Sequence, residues 1–594
     1  MTITYKNFNL KELKKNIQRS LLLLWQASKR LAILSFALHI LQAFLPVISL
    51  YFIKTLVEKV TAKLPFSEIL PAIILFLGAQ LLLAVTQQCA TYVSTIFQLK
   101  LTDFLSQKVL DKAVQVDYNY YENPDYHDSL HLAQQQSLYR ASMLLTSYNT
   151  FITSGFALLF LLLLFISVQS YFAILFIAFS LPLAIIKWYF GIATMQQERK
   201  LAPLEREANY LHYTLTGVSP AKEVRVFNFG KFFIEKFINI RHYIRLQKQQ
   251  LHKRLTRYSL IAESAEIVAM AIIFALLAKE AVAGAITLGL FVIYIQGFQS
   301  LQNNSKNFLQ SVVQILQQRI FLQDLFAFLD IKIINNNHHT LPFPSTDNNL
   351  SVSNISFRYT PDGREVLQNV SLTCNKGQII AIVGENGSGK STLIKILARL
   401  YEQKSGTIHF GNTELQDIDI PSYRQHTVFL FQDFEKYFFT VEENIVLGAS
   451  ATQKTIDDVK NAAVLSGADK FISKLSKGYQ TRMGRTFHES EQLSGGQWQK
   501  LALARVFYRD DASLIVLDEP TSALDAQAEF EIFTQIKNLA KDKMVILITH
   551  RLYNLKIADY LYVMDEGRII EEGTFDELVN KNGAFTRLYN MQQL

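Results

Sequence analysis

Cysteine is nearly absent from this 594-residue chain: Cys89 and Cys374 are the whole complement. One lies in an apolar stretch and the other in a polar half, so they give no disulfide framework, and the polar half reads as cytosolic. Charge is scarce as well. Asp, Glu, Lys and Arg make up 19% of the residues against 49% hydrophobic, and the apolar residues crowd into the first half. The length exceeds what one hydrophobic core supports, so at least two domains are expected, one in a membrane and one outside it. Nor is a cleavable signal peptide expected at the N-terminus. Leu10, Leu13, Ile17, Leu21 and Leu24 recur at helical spacing among Lys11, Lys14, Lys15 and Arg19, the pattern of a basic amphipathic helix on a membrane surface.

Apolar stretches long enough to cross a hydrocarbon core centre near Leu41, Leu82, Leu158, Leu181, Met270 and Ile293. Lys29 and Arg30 precede the first and place the N-terminus in the cytosol. Six crossings then return the chain to the same side. The net charge of +8 invites a nucleic-acid reading, but much of it falls between spans, at Lys222, Arg225, Lys231, Lys236, Arg241, Arg245, Lys253, Arg254 and Arg257. The positive-inside rule accounts for that placement, and no nucleic-acid partner is expected. Long polar segments separate the second span from the third and the fourth from the fifth. Both keep helical apolar spacing, so the spans should continue as helices into the cytosol. Each is interrupted about halfway, at YYENPDYHDSL (120–130) and LTGVSPAKEV (215–224). The expected domains are a six-helix transmembrane domain over 1–325, a linker over 326–350, where NNNHHTLPFPSTDNN is polar and proline-containing, and an α/β nucleotide domain over 351–594.

The polar half carries chemistry. IIAIV (379–383) is a buried-strand pattern that runs into GENGSGKST, with helical spacing after it. This is the phosphate loop in its strand–loop–helix context. Gly384, Glu385, Asn386, Gly387, Ser388 and Gly389 form the loop, its glycines letting backbone N–H groups close on phosphates; Lys390 reaches the outer phosphates, Ser391 offers its hydroxyl to magnesium, and Thr392 follows. A second buried strand, LIVLDEP, ends in Asp518, placed to hold magnesium, and Glu519, placed to polarise an attacking water. The run TVFLFQDFEKYFFTVEENI (427–445) has Gln432 and Asp433 amid apolar and aromatic residues, which marks a place where something polar meets that pair.

Between loop and carboxylates lies LSGGQWQKLALAR (493–505), and after them ITHRL. Phosphate loop, LSGGQ, LIVLDEPTSALD and ITHRL, in that order and after six spans, resemble an ATP-binding cassette exporter of the half-transporter kind over nearly the whole chain. The resemblance implies ATP and Mg2+ as cofactors and a homodimer with two competent sites. Ser494, Gly495, Gly496 and Gln497, at a helix N-terminus suited to anions, would contact the γ-phosphate held by the opposite cassette. Gln432 would reach the magnesium or the water and lie against the membrane domain. His550 matches the switch histidine, Tyr359 the aromatic that stacks on adenine, and Ser522 to Asp525 the loop between cassettes. The two span interruptions become coupling helices, with Phe434, Tyr437, Phe438 and Phe439 as their socket or as plain core. One position departs from the pattern: Arg485 stands where such exporters commonly carry an acid before LSGGQ, with Glu489 or Glu491 as substitutes.

FQDFEKYFFTVEEN together with LSGGQWQKLALAR resembles the bacterial exporters of lantibiotics and related peptides. A peptide cargo crossing the bacterial cytoplasmic membrane is therefore expected; a lipid or drug exporter, or an ATPase sensor that does not transport, are the alternatives. About 30 residues precede the first span, too few for a cysteine peptidase domain, so leader removal would fall to another protein. Glu263 and Glu266 lie three apart and share a helix face, and Gln296, Gln299, Gln302 and Asn303 follow on the sixth span. Either these line a wet substrate cavity, or the glutamates pair with Arg254 or Arg257 and the amides tie helices together.

Overall fold

The computed structural model describes residues 10–122, 124–168, 170–218, 220–331, 341–344, 349–360, 362–448, 455–485 and 487–593. Most of the polar segment 335–349 lies outside them. The chain divides into two compact units, Met1–Val116 with Tyr120–Ile333, and Asp117–Asn119 with Ile334–Leu594.

The first unit is helical: α1 (Leu10–Ala27), α2 (Lys29–Thr61), α3 (Phe66–Gln115), α4 (Tyr118–Tyr121), α5 (Pro124–Val168), α6 (Ser170–Thr216), α7 (Ala221–Val226), α8 (Gly230–Val282) and α9 (Leu288–Leu329). The six long ones contain the six expected span centres. Among the described residues, Lys29–Thr61, Phe66–Gln115, Ser142–Ile166 and Gly230–Val282 are long and apolar enough to cross a membrane. Side chains around Leu181 lie outside the described set, and in α9 the amides that follow Tyr294 dilute the apolar run. α3, with 50 residues, and α8, with 53, reach about 75–80 Å at 1.5 Å per residue, more than twice a hydrocarbon core of about 30 Å. The helices therefore run on past their apolar portions, as the spacing predicts. They stop where the sequence interruptions fall, and the short α4 and α7 sit there.

The ends of these helices are tied together by polar as well as apolar contacts. Leu101, Leu105 and Val109 of α3 bury against Leu144 and Leu145 of α5, Leu322 and Phe328 of α9, and Leu23 and Leu24 of α1. Arg19 of α1 donates twice to the Asp330 carboxylate, at 2.6 and 2.7 Å, and its guanidinium lies 4.0 Å over the Phe326 ring. One member of the basic face of α1 is thus a fixed ion pair at the end of α9. The exposed apolar side of α1 is Leu21, Leu22 and Trp25.

The second unit holds two main sheets. A four-stranded antiparallel sheet runs Leu367–Cys374, Leu350–Phe357, Ser405–Phe410, Thr413–Glu414. A six-stranded sheet runs Arg568–Gly573, Tyr560–Asp565, Ile379–Val383, Met544–Ile548, Leu514–Asp518, Thr427–Leu430, parallel except at its first strand. Its three central strands are buried at every residue, which is why they read as unbroken apolar runs. Because they are parallel, the segments after Val383, Leu430, Asp518 and Ile548 all emerge at one edge. Such an edge is where open α/β sheets bind ligands. The strand expected within TVFLFQDFEKYFF ends at Leu430, so Gln432 and Asp433 fall in the turn beyond it. Of the polar segment after α9, Phe343 is buried in this unit, stacked on His426 at 5.0 Å, with its N–H donating to Ser422.

Helix Gly495–Phe507 covers one face of the large sheet and buries Trp498, which is 1% exposed. Trp498→Ala should cost about 3–5 kcal/mol by opening a cavity. Trp498→Phe should cost much less, because the indole Nε1 has no hydrogen-bond partner and its removal relieves a buried unsatisfied donor. Thermal unfolding of the full-length variants checks this; equal losses for both would contradict it.

Candidate active site

The strand Ile379–Val383 delivers the chain into the loop and then into helix Lys390–Leu397. Two loop positions admit only glycine. At Gly384 (φ +152°) a Cβ would come within 2.1 Å of the Met564 carbonyl oxygen, and at Gly389 (φ +104°) within 2.8 Å of Leu367 Cδ2. The turn thus made wraps Lys390, whose Nζ donates to the carbonyl oxygens of Gly384 and Glu385 at 2.7 and 2.8 Å and to Ser388 Oγ at 3.3 Å. Burial lowers the Lys390 pKa; the carboxylates of Asp518 and Glu519 work the other way.

A cavity of 440 Å³ opens beside the loop, lined by Tyr359, Asn386, Gly387, Gly389, Lys390, Ser391, Thr392, Gln432, Asp518, Glu519 and His550. Residues drawn from five separate stretches of sequence meet there. Gly384, Glu385 and Ser388 stand behind it and hold Lys390. Tyr359 donates to or accepts from Thr392 Oγ1 at 2.9 Å and packs edge-on against Tyr401, yet stays 43% exposed. It keeps ring area free for a flat partner. Arg364 also lines the cavity and carries no sequence signal that marks it.

Asp518 and Glu519 are consecutive, and their environments differ. Asp518 ends a buried strand; burial, and then the Glu519 charge, push its carboxyl up to about 6, with Lys390 opposing. At Glu519 the backbone turns left-handed (φ +49°), a conformation costing roughly 1–2 kcal/mol for a residue with a Cβ. Its N–H still donates to the Ile548 carbonyl at 2.9 Å. Its carboxylate accepts from Gln432 Nε2 at 2.7 Å and meets His550 Nε2 at 3.0 Å. Burial, then the Lys390 charge, lower the His550 pKa, with the Glu519 carboxylate opposing; this favours the neutral imidazole, and the short distance to Glu519 favours the tautomer with its proton on Nε2. Two donors from two other strands thus fix a carboxylate at the cavity wall, the arrangement required of a group that polarises water.

A polar brace lies behind this, and the sequence reading passes over it. Gln499, buried in the helix after LSGGQ, donates to the Glu519 carbonyl at 2.9 Å and to Ser522 Oγ at 3.1 Å, and accepts from Ala523 N–H at 2.7 Å. Glu529 accepts from Thr521 Oγ1 at 2.6 Å and from Arg551 at 2.7 Å. Asp525 caps helix Ala526–Leu539 through Ala528 N–H. The available signal is a glutamine and a glutamate on otherwise apolar helix faces.

Ser494 and Gln497 form a reciprocal capping box at the start of helix Gly495–Phe507. None of Ser494, Gly495, Gly496 and Gln497 lines the cavity. One chain therefore brings together the loop, the carboxylates, Gln432 and His550, and leaves the LSGGQ end elsewhere. Arg485 is exposed, while Glu489 pairs with Lys477 at 2.5 Å and Glu491 accepts from Ser476 N–H at 2.9 Å; both acids are engaged within their own loop. Phe434 packs partly on the core, whereas Tyr437, Phe438 and Phe439 are exposed in their unit. In the helical unit the cation close to Glu263 and Glu266 is Lys306, at 3.8 and 3.6 Å, where the sequence points to Arg254 or Arg257. Gln296 is half-buried and Gln299 exposed on α9.

Residues 367–522 match the family model described as ABC transporter. The chain is 31% identical over 582 residues to the subtilin transport ATP-binding protein SpaT of Bacillus subtilis, covering 97% of this chain and 94% of that one. It is 30% identical over 601 residues to the nisin transport ATP-binding protein NisT of Lactococcus lactis subsp. lactis, covering 97% and 96%. Its fold matches a structure described as a bacterial Atm1-family ABC exporter with ATP bound, with TM-score 0.82, 19% identity and coverage of 95% and 99%. The chain belongs to the ABC transporter family. It is an exporter of that family, an ATP hydrolase coupled to transport.

The Asp518 environment yields a pH prediction. Its carboxyl is raised from 3.8 to about 6, so its contribution to stability is fully present below the unfolded value and is lost as pH rises through about 6. In magnesium- and nucleotide-free buffer, Asp518→Asn should match wild type in unfolding midpoint near pH 4 and become the more stable of the two as pH rises past about 6. A difference that does not change with pH would contradict this.

Proposed function

We propose that two copies of this chain form a homodimer in the bacterial cytoplasmic membrane, with N-terminus and cassettes in the cytosol, and export a peptide by alternating access. The observation that carries the dimer is the half-built site. A helix N-terminus is an anion site, and in one chain none of Ser494–Gln497 lines the cavity; a second copy would bring them to its phosphates. ATP fits what is present: Tyr359 offers a ring, the loop offers N–H groups and Lys390, and Asp518, Ser391 and Gln432 form an oxygen-donor set for Mg2+. The fit of a divalent cation rests on the carboxylate pair: burial, and then the Glu519 charge, raise Asp518, and a cation beside the pair would offset that. Bound there, Mg2+ would neutralise charge on the outer phosphates. Glu519, fixed by Gln432 and His550, would orient and polarise the attacking water, and Ser522 to Asp525 would run between the cassettes.

α4 and α7, with the sequence around them, would act as coupling helices at the junction marked by Gln432 and the exposed Tyr437, Phe438 and Phe439. The large apolar side chains exposed along α2, α3 and α8, such as Ile33, Leu81 and Ile272, suit contact with lipid. Peptide as cargo is supported by the names of the two relatives, subtilin and nisin transport proteins, and by the polar face of Glu263, Glu266, Gln296 and Gln299 as part of a substrate cavity.

Glu519→Gln should bind ATP but turn it over at least about a hundredfold more slowly, and ATP-dependent peptide uptake into proteoliposomes with outward-facing cassettes should vanish with it. Turnover near wild type would overturn the assignment of Glu519. ATP-driven movement of lipid or dye but of no peptide would overturn the cargo.

A further inference from the structure

Glu263, Glu266 and Lys306 form a cluster whose charges do not balance. Lys306 Nζ stands 3.8 Å from Glu263 Oε1 and 3.6 Å from Glu266 Oε2, beyond hydrogen-bond length in both directions. Glu266 is only 8% exposed, and its Oε2 has no hydrogen-bond partner. Two carboxylates share one ammonium, which leaves one formal negative charge in excess. Burial makes that costly. Glu266 lies 16 residues before the end of α8 at Val282, and Lys306 lies 18 residues after the start of α9 at Leu288. At 1.5 Å per residue both are about 24–27 Å from the turn that joins the two helices, at one level along α8 and α9, and both helices belong to the apolar unit. Charged groups within a membrane face a partner or water and mark transport paths.

We propose that this cluster is a recognition site for a positively charged group of the cargo, a primary amine or a guanidinium, and that Lys306 is its resident counter-ion. The proposal rests on the peptide reading above and adds the charge that the peptide must carry. Lys306 holds neither carboxylate by a hydrogen bond, and its side chain is 27% exposed, so its long stem is free to swing aside. An incoming cation that hydrogen-bonds Glu266 directly satisfies a buried acceptor that Lys306 leaves unmet, and a charge-assisted bond of that kind is worth more than a loose ion pair. A neutral peptide has nothing to exchange for Lys306. Exposed Gln299 and Asn303 on α9 supply amide partners for the rest of the chain without selecting charge.

The test reads ATPase stimulation of the full-length protein in nanodiscs. The probes are a leucine- and glutamine-rich peptide carrying lysines, and the same peptide N-acetylated with norleucine in place of lysine. Wild type should respond to the first at a concentration at least about tenfold lower. Lys306→Met removes the internal competitor and should lower the half-maximal concentration of the lysine peptide about tenfold. Glu266→Gln should raise it about tenfold, and Glu263→Gln, on a more exposed side chain that tolerates change, should raise it too. Opposite signs for the lysine and glutamate variants are what a purely structural ion cluster does not produce. Shifts of the same sign, or equal shifts for both peptides, would overturn the site while leaving peptide export standing. Stimulation of wild type by neither peptide would overturn both.

Discussion

Two carboxylates in succession at the end of a buried strand are the constraint on which the nucleotide unit is organised. Asp518 and Glu519 repel each other in a place where water is scarce, and burial alone already disfavours the charge on Asp518. The surroundings resolve this by dividing the pair. Asp518 stays in line with its strand, toward Lys390. Glu519 leaves the strand through a left-handed turn and is caught by Gln432 from one neighbouring segment and His550 from another. A parallel sheet is what lets that happen, because four strand ends open at one edge with their following residues side by side.

The parts legible in the sequence are those whose chemistry demands neighbours in the chain. A phosphate loop needs its glycines, lysine and hydroxyl within one turn, and buried parallel strands need unbroken apolar runs, so Gly384–Thr392 and Asp518–Glu519 could be read directly. Helix lengths in the membrane unit were legible for a similar reason, since apolar spacing persists along α3 and α8. Gln432, His550 and Tyr359 needed the resemblance to a family, because a lone glutamine, histidine or tyrosine has no local signature. What stayed hidden is held by distant pairs: Gln499 beneath Glu519, Glu529 with Arg551, Arg19 with Asp330, and Lys306 between two glutamates some 40 residues before it in the chain. Each partner alone looks like an ordinary polar residue on a helix.

The brace behind the site also links its parts mechanically. Gln499 belongs to the helix that starts at LSGGQ, and it touches both the backbone of Glu519 and the loop that holds Ser522. Arg551, next to His550, reaches Glu529 and the Ser522 carbonyl. The LSGGQ helix, the Glu519 backbone and the segment that bears His550 are therefore joined by hydrogen bonds that do not cross the cavity. A second chain seated on Ser494–Gln497 would be felt at its own phosphates and at this chain's Glu519.

That dependence on a second chain is the central claim, and complementation tests it most directly. Ser494→Arg protomers carry an intact phosphate loop and a blocked LSGGQ end; Lys390→Ala protomers carry the reverse. Each homodimer should fail to occlude ATP, and purified mixed dimers should regain one site, formed by the loop of the first and the LSGGQ end of the second. Mixed dimers that occlude no ATP at all would contradict a site shared between chains.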